Sequence, residues 1–252
     1  MAIDGYKVYW NRGPGGDIRF PVYSVLIEHS DGLFVYDTGF DLVHMQTKVP
    51  GDQPLQTPEQ TLPAQLAKVG YKPSDVTHLL SSHFHIDHAG GHKHFPDAVV
   101  VCHEDEYAQA KNPPLFERMS YSDLAFDAAL GAARDGVPAP QGVRSPKYEM
   151  IRGDVEYAPG VWLMETPGHS AGHYSLLVYP KKRRPMLFTG DVAMTPRNLE
   201  LMVIGSFHLD PTRALASLQR VGKLAEEKGA DLFFSHSMPD FQNYLKAPDW
   251  YE

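Results

Sequence analysis

The sequence predicts an α+β protein built on two β-sheets with helices packed outside them, and two features carry that expectation. Strand-like and helix-like segments mix irregularly along the chain, which fits two separate sheets better than the strict strand–helix repeat of a doubly wound parallel sheet. Several strand-like runs end on a residue able to bind a metal, the pattern of a rigid scaffold that collects ligands at its strand ends. At 252 residues the chain is long enough for a large hydrophobic core, and a single domain over residues 1–252 is expected.

Each element has its own local signal. Residues 22–29 are rich in β-branched and aromatic side chains, Asp31-Gly32 marks a turn, and residues 33–36 follow as a second strand of a hairpin. Thr61 caps a helix running to about Val69, with Gly70 as its stop. Residues 76–81 and 98–102 read as strands, and residues 104–111 as a helix ended by Asn112-Pro113-Pro114. The glycine- and proline-bearing stretch 116–144 reads as an insertion with a short helix around residues 122–134. Strands recur at 147–151, 161–165, 174–179 and 186–189. Asp210 before Pro211 starts a helix with Leu215, Leu218, Val221 and Ala225 on its apolar face and Gly229 as its stop, and residues 232–234 form a last strand.

Composition narrows the class. The formal net charge is −8, and the one basic block, residues 181–184, sits between prolines as a solvated turn. This balance argues against binding a nucleic-acid backbone, which needs a cationic surface. Cys102 is the sole cysteine, so no intramolecular disulfide forms, which suits a reducing compartment. Residues 1–10 have neither the basic start nor the apolar run of a signal peptide. No stretch approaches the roughly 20 apolar residues of a membrane span. A cytoplasmic protein without nucleic-acid or membrane partners is the expectation; the sequence leaves the oligomeric state open, a homodimer included. Histidine stands out, with 13 residues unevenly spread.

The sharpest feature is His83-Phe84-His85-Ile86-Asp87-His88, followed by Gly90-Gly91. Three imidazoles and a carboxylate fall just after a predicted strand. In an extended segment His83 and His85 point the same way, and a turn after Ile86 aims Asp87 and His88 at a second point nearby. Such a cluster is costly in an apolar setting unless its groups are paired or bind metal, and neutral imidazole and carboxylate are the usual ligands of zinc. Three later apolar runs also end on a ligand: 161–166 leads to Pro167-Gly168-His169, 186–190 to Asp191, and 232–235 to His236. Five histidines and two aspartates suit two ions once a shared water is counted. A histidine-rich surface loop is the alternative for the first cluster alone, and the later ligands weigh against it.

In this order the motifs resemble those of the metallo-β-lactamase superfamily, over nearly the whole chain, with Asp37-Thr38-Gly39 matching its first motif. The resemblance implies an αβ/βα four-layer sandwich with two central mixed sheets flanked by helices. It implies that His83, His85 and His169 bind one metal, that Asp87, His88 and His236 bind the other, and that Asp191 bridges the two. Asp37 would orient a ligand loop. The cofactors implied are two zinc ions, with other divalent metals as an option. A carboxylate at Asp191 is similar to the lactonases and glyoxalase II-type thioesterases rather than to true β-lactamases.

Outside the metal motifs, residues 4–16, 20–24, 112–113, 121–124 and 207–211 resemble the quorum-quenching lactonases and, more closely, the 4-pyridoxolactonases of vitamin B6 breakdown. The implied reaction is hydrolytic opening of 4-pyridoxolactone to 4-pyridoxate by a metal-bridging hydroxide, with Asp87 and Asp191 catalytic and Asp87 the candidate proton shuttle. Alternatives are an N-acyl-homoserine lactonase, a glyoxalase II-type thioesterase and a metal-binding module without turnover. Trp10, Arg12, Phe84, Ile86, Tyr121 and His208 are candidate contacts to the small-molecule lactone. Two departures stand out. The chain starts almost at Asp4-Gly5, where relatives commonly carry an extra strand beforehand. Many lactonases also place a tyrosine three residues after the bridging aspartate, where this chain has Met194, which cannot donate a hydrogen bond.

Overall fold

The computed structural model describes residues 1–10, 12–121, 127 and 145–252; apart from Asp127, the helix expected over 122–134 lies outside them. The chain forms two compact units, Val22–Ile151 and Met1–Pro21 with Arg152–Glu252. At the N-terminus β1 (Ala2–Asp4) pairs antiparallel with β2 (Asp17–Arg19) as a two-stranded ribbon separate from the larger sheets. Helix α1 (Gly5–Val8) follows β1, capped by the Asp4 carboxylate, which accepts from the Tyr6 amide.

The Val22–Ile151 unit holds a five-stranded mixed sheet in the order β3-β4-β5-β6-β7. Strands β3 (Val25–His29) and β4 (Gly32–Tyr36) form the expected hairpin. Strands β5 (His78–Leu80), β6 (Val99–His103) and β7 (Lys147–Ile151) add in parallel. Helices α2 (Leu42–Lys48), α3 (Leu62–Lys68) and α4 (Glu104–Lys111) lie in the connections. Val35, Leu79, Val100 and Cys102 from the central strands pack with Leu66, Phe84, Phe95 and Tyr121 into one core. Parallel strands covered by helices bury both faces, which explains the continuous apolar runs at β5 and β6.

The second unit holds a sheet in the order β12-β11-β10-β9-β8. Strands β8 (Val155–Ala158), β9 (Val161–Glu165), β10 (Tyr174–Val178) and β11 (Met186–Phe188) run antiparallel in succession, and β12 (Asp231–Phe233) closes the sheet parallel to β11. Helix α5 (Pro196–Leu201) precedes the long α6 (Pro211–Lys228), and α7 (Met238–Asn243) follows β12. The buried stripe of α6 is Ala214, Ser217, Leu218, Val221, Leu224 and Ala225, which corrects the expected face: Leu215 is 37% exposed. The stripe is set by Ala214, because α6 starts hard against the loop before His169. A side chain at Gly168 (φ +126°) would collide with the Ala214 backbone. Gly229 ends α6 in the left-handed conformation, as expected. Among the described residues no helix is long and apolar enough to cross a membrane.

Two devices in this framework are open to direct test. The Asp210 carboxylate accepts from the Thr212 and Arg213 amides, both at 3.0 Å, and so caps α6. Asp210→Ala is expected to cost about 1 kcal/mol and to lower Tm by roughly 2–4 °C, with Asp210→Asn close to wild type in a thermal melt. In the other unit Glu117 is buried and accepts from Gln109. Burial and the neighbouring Glu106 push its carboxyl up to about 7 from the ordinary 4.5, partly offset by the Gln109 hydrogen bond. The fold therefore holds this proton more tightly than the unfolded chain does. The stability it brings is complete below the unfolded value and is lost as pH rises through about 7. Glu117→Gln is expected to lose less stability than wild type over that interval, measured by denaturant unfolding at its two ends.

Candidate metal centre

In the Val22–Ile151 unit, the carboxyl ends of the parallel neighbours β4 and β5 deliver Asp37 and the loop 81–88 to one edge of the sheet. Asp37 sits in the left-handed region at φ +55°, which an aspartate tolerates better than most residues. Its amide donates to the Leu80 carbonyl at 3.1 Å, and the Thr38 amide to the His88 carbonyl at 2.7 Å. The Asp37 carboxylate then gathers the loop. Oδ1 accepts from the Ser82 amide at 2.8 Å, and Oδ2 accepts from the Ser82 hydroxyl at 2.7 Å and from His88 Nδ1 at 2.8 Å. With its proton committed to Asp37, the Ser82 hydroxyl accepts from His83 Nδ1 at 2.9 Å.

The His83 ring centroid lies 4.5 Å from that of His85 and 4.2 Å from that of His88. Asp87 Oδ2 is 3.8 Å from His88 Nε2. The three imidazoles are buried, and the loop is braced from behind. Glu106 Oε1 accepts from the Phe84 amide at 2.9 Å and the Tyr121 hydroxyl at 3.2 Å, and the Ile86 amide donates to the Ser120 carbonyl at 2.7 Å. Gly91 is required because a Cβ there would run into the Thr38 carbonyl.

In the second unit, β9, β11 and β12 share one direction, so His169, Asp191 and His236 all emerge at one edge. His169 Nε2 lies 3.4 Å from Asp191 Oδ2, and His236 Nε2 lies 3.1 Å from Asp191 Oδ1. Each carboxylate oxygen thus faces a different imidazole. His236 Nδ1 donates to the Pro21 carbonyl at 2.9 Å, and Phe20 meets its ring edge-on at 4.6 Å. His173 Nε2 accepts from the Asp191 amide at 3.0 Å. Its Nδ1 then donates to Thr166 Oγ1 at 2.9 Å, which is 3.0 Å from Ser175 Oγ; Ser175 donates to the Thr189 carbonyl at 2.8 Å.

These halves fit a metal by their donor chemistry. In His88 and His236 an acceptor takes the Nδ1 proton, which leaves Nε2 with its lone pair, the arrangement seen when a histidine ligand is oriented from behind. Asp191 presents one oxygen to His169 Nε2 and the other to His236 Nε2. Of the expected substrate contacts, Phe84 and Tyr121 are 0% exposed in the core of their unit. Their rings fill volume behind the ligand loop. Ile86 is buried as well, while Trp10 (42% exposed, φ +41°) and Arg12 lie at the surface of the other unit. His208 is buried with its Nδ1 2.9 Å from His169 Nδ1.

Sequence reasoning passed over Ser82 and Glu106. Ser82 borders the histidine cluster and had a positional signal, whereas Glu106, on α4, had none. Met194 is 4% exposed and packs with Val8, Tyr9 and Val203, so it is a core residue.

Comparison with known proteins agrees with this geometry. The chain is 31% identical over 257 residues to an N-acyl homoserine lactonase of Bacillus cereus, covering 98% of this chain and 94% of that one. It is 30% identical over 246 residues to the N-acyl homoserine lactonase AiiA of Bacillus thuringiensis subsp. kurstaki, covering 94% and 89%. A solved N-acyl homoserine lactone hydrolase with the product N-hexanoyl-L-homoserine bound at its catalytic metal center superposes with a TM-score of 0.81 at 27% identity, over 99% of this chain and 94% of that one. The family model of the metallo-beta-lactamase superfamily matches residues 17–236. With its mixed sheets, flanking helices and ordered ligand motifs, the chain belongs to the metallo-beta-lactamase superfamily.

Proposed function

We propose that this protein is a lactone hydrolase that works with two zinc ions. His83, His85 and His169 would hold one ion and Asp87, His88 and His236 the second, with Asp191 as a further ligand. The observation that carries the reading is the Asp191 carboxylate, with one oxygen toward His169 Nε2 and the other toward His236 Nε2. Paired zinc ions supply Lewis acidity toward an ester carbonyl and acidify a water to near neutrality.

The chain's own residues do the rest. Asp37, Ser82, His173 and Pro21 hold the ligand side chains in place before substrate arrives, so reorganisation at the moment of reaction is small. Asp87 is positioned beside His88 with its carboxylate partly exposed. It takes up the proton from the attacking water and returns it to the ring oxygen as the ester C–O bond breaks, which an alkoxide leaving group needs. The product is the ring-opened hydroxy acid.

N-acyl homoserine lactones are the first substrate reading, because relatives with that activity align along nearly the whole chain. The second reading is 4-pyridoxolactone. It is favoured by Met194, a buried apolar side chain at the position where the lactonases commonly offer a tyrosine hydroxyl to the substrate carbonyl. A missing donor of that kind is worth about 3 kcal/mol of transition-state stabilisation, so the substrate carbonyl is held by another group.

Two measurements test this. Zinc-loaded protein assayed on short- and long-chain N-acyl homoserine lactones beside 4-pyridoxolactone is expected to open a lactone ring; turnover of none of them sinks the reading, and the preferred ring decides between the two substrates. Asp191→Asn is expected to lose zinc and activity together, with zinc per chain falling from two toward one by atomic emission. Full activity of that variant on a single ion would rule out the linked pair.

A further inference from the structure

His208 sits where the sequence suggests a substrate contact, yet its surroundings turn it toward His169. The two Nδ1 atoms are 2.9 Å apart and the rings meet edge-on at 4.9 Å. The backbone fixes this approach. The Leu209 amide donates to the His169 carbonyl at 3.1 Å and the Asp210 amide to the Gly168 carbonyl at 3.0 Å, so the two segments run side by side. Asp210 then caps α6, Ser217 of that helix donates to the Pro167 carbonyl at 2.6 Å, and Phe207 closes on the His169 ring at 5.8 Å. This frame holds the two backbones at a spacing that brings the rings together.

The partner chemistry differs from that of His88 and His236. His88 donates to a carboxylate and His236 to a peptide carbonyl, groups that only accept. An imidazole can do either, so the His169–His208 bond forms only when one Nδ1 carries a proton and the other does not. His169 Nε2 faces Asp191 and belongs to the proposed ligand set, so it must keep its lone pair and its proton must lie on Nδ1. We infer that His208 is a positioning residue: a neutral acceptor, protonated at Nε2, that locks His169 in its metal-binding tautomer. This rests on the two-zinc reading above. Partners of this kind, one step removed from the metal, typically change metal affinity by about 10–100-fold when lost.

The test uses the full chain loaded with zinc and two substitutions of similar size. His208→Gln offers a carbonyl oxygen as acceptor; His208→Phe keeps a ring and offers none. Retained zinc is measured against a graded chelator. His208→Gln is expected to follow wild type within about threefold, and His208→Phe to release one of its two ions about 10–100-fold more readily, the other ion being unchanged. A wild-type release curve for His208→Phe overturns the inference, as does an equal loss in both variants, which marks a packing role only. Nitrogen-15 histidine spectra of the loaded wild type read the tautomers without any substitution: Nδ1–H on His169 with Nε2–H on His208 is expected, and the reverse overturns the assignment. A wild type that binds fewer than two zinc ions removes the functional reading itself, which a failure of His208 alone leaves standing.

Discussion

A buried imidazole serves as a metal ligand only if its far nitrogen has somewhere to put a proton. That constraint organises the architecture around both half-sites. It explains why Asp37 occupies a left-handed backbone position directly after β4: from there one carboxylate reaches the Ser82 amide, the Ser82 hydroxyl and His88 Nδ1 together. It explains why the Pro21 carbonyl meets His236. Each is an acceptor delivered by backbone topology to the back of a ring. The bonds to the Asp37 carboxylate are charge-assisted, and such bonds are shorter and stronger than neutral ones; in a dry setting an unpaired member of either pair would cost far more than in water.

Asp191 is held by a second, longer device. A run of hydrogen bonds leads from its amide through His173, Thr166 and Ser175 to the Thr189 carbonyl, two residues before Asp191 itself. All four side chains are fully buried. The loop of bonds closes on the turn it starts from, so the position of the carboxylate is set by the sheet rather than by whatever it later binds. Glu106 plays the matching role in the other unit, where it ties the middle of the histidine loop to helix α4 through the Phe84 amide. Rigidity of this kind has an energetic use. Ligands already in place lose little conformational entropy when an ion or a substrate arrives.

Much of this was legible in the chain. Local patterning located β3, β4, β5, β6, β7, β9, β10, β11, β12, α3, α4 and α6, because those elements combine a hydrophobic period with a turn, cap or stop residue. The seven candidate ligands were legible because each follows such a strand. Part of what escaped reading lacked local signals. The β1–β2 ribbon is three residues to a side, too short for a period to show. Leu215 was assigned to the buried face of α6 by hydrophobicity alone, yet the rotation of that helix is set by Ala214 meeting Gly168. Phe84 and Tyr121 were expected at the site because an aromatic wall suits a flat lactone; alternation along an extended segment turns Phe84 away from its two histidine neighbours and into the core.

The same alternation divides the residues near the ligand edge between two demands. Residues that point toward the ligand edge are constrained by metal chemistry, and those that point away are constrained by packing, so neither set varies freely with the substrate. Specificity must then rest on positions bound by neither demand. Met194 is a position where packing decides. Three residues beyond Asp191, it has joined the apolar cluster of Val8, Tyr9 and Val203, and the Tyr9 hydroxyl is paired with Thr195 at 3.0 Å. A tyrosine at 194 would bring a phenol into that apolar packing, where its hydroxyl costs free energy unless it finds a partner. Met194 instead adds to the packing of the N-terminal segment and, as a thioether, brings no hydrogen-bond donor.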